Sequence, residues 1–288
     1  MTEYSVITPV RNEAENLRRL EQSLATQTRR PRTWMIVDTG SDGETLSTIR
    51  DLEAAHDWIR SAESRSGPAP TRARAIVHAF NVGAAELESP PEIVVKLDAD
   101  ISMESHYFER LVAAFDANQR LGIASGTCYE RVDGRWKQRH VTGDHVWGAV
   151  RAYRRSCLEQ VSPLEERLGW DGIDEIKATL RGWQTRTFLD LPFYHHRREG
   201  EREVRAWRRV GETCHYLGYR IGYMLLRSLN QARRDPAALT MLGGYAAATL
   251  RRAERCPDDA VRTYVRSQQS LRRLPQRARE ALGRRAAA

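Results

Sequence analysis

V-V-K-L-D-A-D-I-S, residues 94–102, begins as an apolar β-branched strand and ends with two acids, Asp98 and Asp100, one residue apart. Two carboxylates carried out of a core repel one another, and within the run only Lys96 can neutralise them. Working outward, Y-S-V-I-T-P-V (4–10), T-W-M-I-V-D (33–38), A-I-V-H-A-F-N (75–81) and E-I-V-V-K-L-D (92–98) all read as strands. Between them, residues 13–24 place Leu17, Leu20 and Leu24 at helical spacing, and residues 44–53 repeat the pattern with Leu46, Ile49 and Leu52. Asn81 is expected to cap a short helix over 82–88. Apolar strands alternating with amphipathic helices predict an α/β fold, a mostly parallel sheet with helices on both faces. Such sheets bind ligands beyond the carboxyl ends of their strands. Three polar clusters fall there: Pro9 to Glu13, Asp38 to Ser41, and Asp98 to Asp100.

Further along, Phe108, Leu111, Val112 and Phe115 mark a helix over 104–118. Residues 122–150 read as strand and turn, with a hairpin turn at Asp133-Gly134. Residues 148–158 run into a helix, 168–183 read as a loop and then a helix starting near Asp174, and Thr185 to Tyr194 is a final strand ending in His195-His196-Arg197. A charge run at 197–209 leads to an all-helical segment over 210–274, and the arginine-rich tail beyond it is expected to fray.

The 288-residue chain can bury a sizeable core. It shows no signal peptide and no apolar run long enough for a membrane span, and its four scattered cysteines form no C-x-x-C pair, so a reducing cytoplasmic setting is expected. The net charge of +8 suits a polyanion, an anionic membrane surface or a phosphate-bearing substrate without choosing among them. An Asp-x-Asp at a strand end can hold a divalent cation such as Mg²⁺, which is bound through one or two carboxylates and substrate phosphates.

Five motifs occur in order: V-I-T-P-V-R-N-E-A-E-N-L, I-V-D-T-G-S-D-G-E-T, V-V-K-L-D-A-D, G-W-D-G-I-D-E-I-K-A-T-L-R-G-W and H-H-R. Together, over residues 4–198, they resemble family-two glycosyltransferases with a GT-A fold, a Rossmann-type αβα sandwich. The resemblance implies a nucleotide-sugar-binding part at 1–103, an acceptor-binding part at 104–198 and a C-terminal helical region at 199–288. It implies transfer of a sugar from a nucleotide-diphosphate donor, most simply a UDP-sugar, with inversion and with Mn²⁺ or Mg²⁺ as cofactor. Pro9, Arg11 and Glu13 would line the nucleoside pocket, and Asp38 would accept from the base. Asp98 would lie near the ribose or the metal's waters, and Asp100 would ligate the metal. His195, ahead of His196, resembles the late histidine that completes the metal site, with Arg197 and Arg198 on the diphosphate. Gly148 resembles the glycine that lets the donor sugar approach the backbone. Inversion needs a base for the acceptor hydroxyl. Asp174 matches the family's acid at a helix start, with Glu175 the alternative and Asp171 third.

Thr39 stands where the family carries a second acid, and S-D-G-E-T is one residue tighter than the family's S-x-D-G-T, so Asp42 is the candidate replacement. The missing Q-x-x-R-W motif and membrane spans speak against a processive synthase and leave glycan, polysaccharide or glycolipid assembly. Trp147 and Trp170 read as sugar platforms or as core. In the C-terminal region Tyr216, Tyr219, Tyr223, Met224, Leu225, Leu226 and Leu229 sit beside many arginines. That pattern suits a helical cap, a homo-oligomer interface or a contact with an anionic membrane. A non-catalytic nucleotide-sugar binder is the rival reading, and nucleic-acid binding rests on charge alone.

Overall fold

The computed structural model describes residues 2–64, 71–89, 91–139, 145–197 and 204–270. Arg198 and the tail from residue 272 lie outside them. Two compact units form, 1–198 and 199–288.

The first unit opens with β1 (Tyr4–Val10), α1 (Ala14–Ala25), β2 (Trp34–Asp38), α2 (Gly43–Ala55), β3 (Ile59–Glu63), α3 (Arg72–Ala85) and β4 (Ile93–Leu97). It continues with β5 (Ile101–Met103), α4 (Tyr107–Ala117), β6 (Leu121–Val132), β7 (Arg135–Gln138), β8 (Val150–Arg154), α5 (Arg155–Val161), α6 (Trp170–Leu180) and β9 (Gln184–His195). One sheet runs β3-β2-β1-β4-β8-β6-β9-β5, with β7 hairpinned onto β6. The first four strands in that order are mutually parallel, and β8, β5 and β7 pair antiparallel with their neighbours. Every residue of β2 and β4 is buried, as expected of strands covered on both faces. The hairpin turn puts Asp133 at φ 53° and Gly134 at φ 75°, the left-handed pair that a two-residue turn requires.

Two sequence expectations are corrected. Residues 75–81 are the middle of helix α3, so Asn81 caps nothing, and the third strand is I-R-S-A-E at 59–63. A short apolar run fits either a strand or a buried helix. Here Thr71 caps the start by accepting from the Arg74 N–H, and Val77, Phe80 and Gly83 recur at helical spacing against the sheet. A Cβ at Gly83 would meet Ile7 Cγ2 at 2.6 Å and Val37 Cγ2 at 2.8 Å, so only glycine lets α3 lie this close. The strand at 59–63 buries only Ile59 fully at the sheet edge, which leaves almost no apolar signature. The second correction concerns α6. It starts at Trp170, after Gly169 in the left-handed region at φ 84°, four residues ahead of the expected start at Asp174.

The second unit holds α7 (Val204–Tyr216), α8 (Ile221–Ala232), a 3-10 turn at Pro236–Leu239, α9 (Thr240–Leu250) and α10 (Asp259–Gln268). Trp207, Val210, Cys214, Met224, Ala238 and Met241 form its core. Gly211 of α7 and Gly244 of α9 face the opposing backbone so closely that a Cβ would lie 2.0 Å from a carbonyl oxygen. No helix among the described residues is long and apolar enough to cross a membrane.

Candidate active site

The carboxyl ends of β1, β2 and β4 converge on a cleft of about 370 Å³. Pro9, Arg11, Glu13, Thr39, Asp98, Asp100 and Arg197 line it, and so do Thr71, Arg72, Ala75 and Ile76 from the start of α3. The sequence reading missed this last group because it took α3 for a strand. The readable signal was Thr71, an N-cap residue, ahead of apolar positions at helical spacing. Helix α3 therefore presents its N-terminus, where the unpaired N–H groups favour anions, together with the exposed Arg72.

Asp100 is buried, and its Oδ2 makes no hydrogen bond. The pairing of β5 with β9 sets Ile101 opposite His195, which brings His195 Nε2 to 3.3 Å from Asp100 Oδ1. His196 points the other way, to Ser102 Oγ at 2.8 Å and the edge of the Trp136 ring. Behind His195, its Nδ1 lies 3.8 Å from Oε1 of the buried Glu130, and Cys128 completes a cluster whose ligand atoms lie within 4.8 Å of one another. Arg197 bridges the cleft: it donates to both Glu13 carboxylate oxygens, and its Nε lies 3.4 Å from Asp100 Oδ2. Burial alone would raise the Asp100 carboxyl. The hydrogen bond and charge of His195, with Arg197 and Arg72, outweigh burial and hold it below its ordinary range. A buried carboxylate with an unbonded oxygen, an imidazole beside it and oxygen ligands nearby is a donor set that suits a divalent cation.

Asp98 is placed differently. Its carboxylate pairs with the buried Lys96 ammonium, which also donates to the Gly148 carbonyl at 2.7 Å, and its N–H donates to Ala149 O at 2.8 Å. The neutralising charge in the strand is thus spent on one acid, and Asp100 is left to the cleft. Asp38 does not line the cleft. Its carboxylate accepts from the Gly40 and Ser41 N–H groups at 3.0–3.2 Å and closes its own loop, while Thr39 takes the lining position. Asp42 is the N-cap of α2, accepting from Thr45 N–H.

Gly148 lies against the start of α6, where a Cβ would stand 3.1 Å from Asp171 Oδ2. The three acids read as candidate bases are held differently. Asp174 is 2% exposed and bound by Arg151 Nε at 3.0 Å, by Arg151 Nη2 and by the Tyr153 hydroxyl. Burial pushes its carboxyl up to about 6, and the buried Arg151 guanidinium beside it opposes that rise. Glu175 accepts from Val146 N–H at 2.7 Å and Arg151 at 3.1 Å, and pairs with His145 Nδ1 at 3.1 Å. Neither acid sits at the helix start, because the helix begins earlier. Asp171 occupies that place. Its side chain is 30% exposed, its Oδ1 accepts from Gly172 N–H at 3.1 Å, and its Oδ2 faces Gly148 and, at 4.0 Å, His145 Nε2. Arg151, wholly buried, also donates to the Asp171 and Val146 carbonyls, so one guanidinium ties β8, the 145–149 segment and the first turn of α6 together. Trp170 packs under this network, with the Lys96 and Arg151 cations 5.8 and 5.6 Å from its ring, and Trp147 packs on the core.

Among curated protein sequences none matches. Solved structures share the fold. The mannosyltransferase PcManGT from Pyrobaculum calidifontis, in complex with GDP-Man and Mn²⁺, aligns with a TM-score of 0.59 at 16% identity, covering 98% of this chain and 87% of that one. GalNAc-T7 with UDP, GalNAc and Mn²⁺ aligns at 0.61 with 13% identity, covering 88% and 55%. S. aureus TarS 1-349 in complex with UDP-GlcNAc aligns at 0.55 with 19% identity, covering 73% and 64%. At these identities the likeness establishes the GT-A architecture. A family model described as glycosyl transferase family 2 matches residues 5–163, more than half of the chain, and spans both the acids at the strand ends and the Gly148 loop; the chain belongs to glycosyl transferase family 2.

Proposed function

We propose that this protein is a metal-dependent, inverting glycosyltransferase that moves a sugar from a nucleoside-diphosphate donor to an acceptor hydroxyl. The observation that carries this reading is the cleft itself. The buried, unbonded Oδ2 of Asp100 opens onto a space lined by three guanidiniums, from Arg11, Arg72 and Arg197. A diphosphate needs that positive charge, and the Asp100 carboxylate keeps an oxygen without a hydrogen bond to offer to a cation.

Asp100 and His195, with Asp98 alongside, would hold Mn²⁺ or Mg²⁺, which when bound supplies positive charge to the departing diphosphate. Arg72, the α3 N-terminus and Arg197 grip the phosphates, and Pro9, Arg11 and Thr39 flank the nucleoside. Residues 1–103 thus supply most of the donor side. Residues 104–198 supply the acceptor side and return His195 and Arg197 to the donor. Asp171 is the base. The acceptor oxygen forms its bond to the anomeric carbon as the carbon–phosphate oxygen bond breaks. The electron pair leaves on the diphosphate, and the acceptor proton passes to Asp171. Gly148, with no side chain, lets the first turn of α6 bring Asp171 close against this loop.

Uridine is the first base to test, since TarS and GalNAc-T7 are seen with UDP or a UDP-sugar, and guanosine the second, after the mannosyltransferase. The test is calorimetric titration of UDP and GDP with Mn²⁺ or with EDTA. One nucleotide is expected to bind in Mn²⁺ at micromolar to millimolar affinity, and Asp100→Ala is expected to weaken it roughly tenfold to a hundredfold. Absence of binding by folded protein under every condition overturns the reading.

A further inference from the structure

The second unit leaves several large aliphatic side chains exposed. On α8, Met224 and Ser228 point inward. Ile221, Leu225 and Leu229 recur every four residues on the adjoining face, Leu226 widens that stripe, and all four are 45–65% exposed. Leu239 and Leu250 add further open aliphatic surface in the same unit. A contiguous apolar stripe on a surface helix marks a contact waiting for a partner.

The charge says which partner. Residues 199–288 hold 19 arginines, no lysine and nine acids, a net of +10, whereas residues 1–198 hold 27 basic and 29 acidic residues, a net of −2. The chain's whole positive excess therefore lies in the unit that carries the stripe. Exposed arginines bracket α8, with Arg220 at its N-cap and Arg233 and Arg234 at its end. A second copy would bring another +10 against the first. A nucleic acid would match the charge but offers nothing to an aliphatic stripe. An anionic lipid surface matches both: acyl chains take the leucines, and headgroups take the arginines. At 12 residues α8 is too short to span a bilayer, so the fitting geometry is a helix lying in the interface.

We propose that the Ile221–Leu225–Leu226–Leu229 face of α8 docks this protein on an anionic membrane surface. The contact tethers the transfer chemistry to the bilayer, where a lipid-borne hydroxyl acceptor would be presented. The docking does not depend on the sugar-transfer reading, because it is measured by binding alone.

The experiment is co-sedimentation of the full chain with vesicles of equal parts phosphatidylglycerol and phosphatidylcholine, against pure phosphatidylcholine, at low and high salt. The wild type is expected to pellet with the anionic vesicles and to be released by salt. The double variant Leu225→Glu, Leu229→Glu is expected to lose affinity about tenfold or more, and Arg233→Glu, Arg234→Glu to lose it without touching the apolar face. Unchanged circular dichroism establishes that these surface variants fold. A wild type that stays in the supernatant overturns the proposal, as does a leucine variant that pellets unchanged. A dimer seen by light scattering and split by the leucine variant also overturns it and assigns the stripe to a second copy. Nucleotide titration of the same samples reports on the donor site separately.

Discussion

Asp171→Asn is expected to lower the rate of sugar transfer by roughly 10²–10⁴-fold, the range for loss of a general base, with nucleotide affinity and melting temperature nearly unchanged. The readout is nucleoside-diphosphate release, using the donor that titration identifies. Asp171 is the one acid of the G-W-D-G-I-D-E motif that combines first-turn position, partial exposure and a carboxylate oxygen facing the Gly148 loop. Asp174→Asn discriminates. If Asp174 is the base, that variant loses transfer at an unchanged melting temperature, and Asp171→Asn keeps it. The geometry calls for the reverse, because every contact of the Asp174 carboxylate is to Arg151 or Tyr153 inside the core. Asp174→Asn is therefore expected to melt several degrees lower, and any loss of turnover should follow that loss of structure.

Arg151→Met is expected to destabilise the first unit by about 3–5 kcal/mol, the cost of leaving buried charge without its partner. For a domain near 200 residues that corresponds to a fall in melting temperature of roughly 10 °C. The guanidinium is fully buried and binds two carboxylates, two backbone carbonyls and the Tyr153 hydroxyl, so its removal strands Asp174 at once and Glu175 in part. Replacing the set together, Arg151→Met with Asp174→Leu and Glu175→Gln, is expected to recover most of the loss, since an apolar set leaves no orphan charge. Thermal denaturation of the single and triple variants checks both statements. Equal melting points for wild type and Arg151→Met would show that the network does not hold β8 to α6. Even where the triple variant regains stability, turnover should stay low, because the carbonyl of Asp171 has lost the donor that sets the first turn of α6.

Much of this was legible in the chain. The alternation of apolar strands with amphipathic helices through residues 4–55 is local, and local periodicity states which face of each element is buried. The acids at 98 and 100 follow a run that only a covered strand explains, and the order of the motifs carried the family. The structure then parted residues that looked equivalent on paper. Asp98 and Asp100 differ because Lys96 reaches one of them. His195 and His196 differ because alternate residues of a strand face opposite sides of a sheet, and the register of β5 on β9 chooses the side. Asp38 is spent on its own turn, and the start of α3 brings Arg72 to the cleft, where a strand would not.

By itself, then, the sequence determined the architecture, the family and the ends of the strands where ligands gather, because those follow from hydrophobic period and motif order. Only the tertiary structure decided how each acid of the G-W-D-G-I-D-E motif is held. Gly169 in the left-handed region and the packing of Trp170 start α6 four residues early. Arg151, from a strand that pairs far away in sequence, then draws Asp174 into the core. A side chain's partner across twenty or more residues leaves no mark in local period.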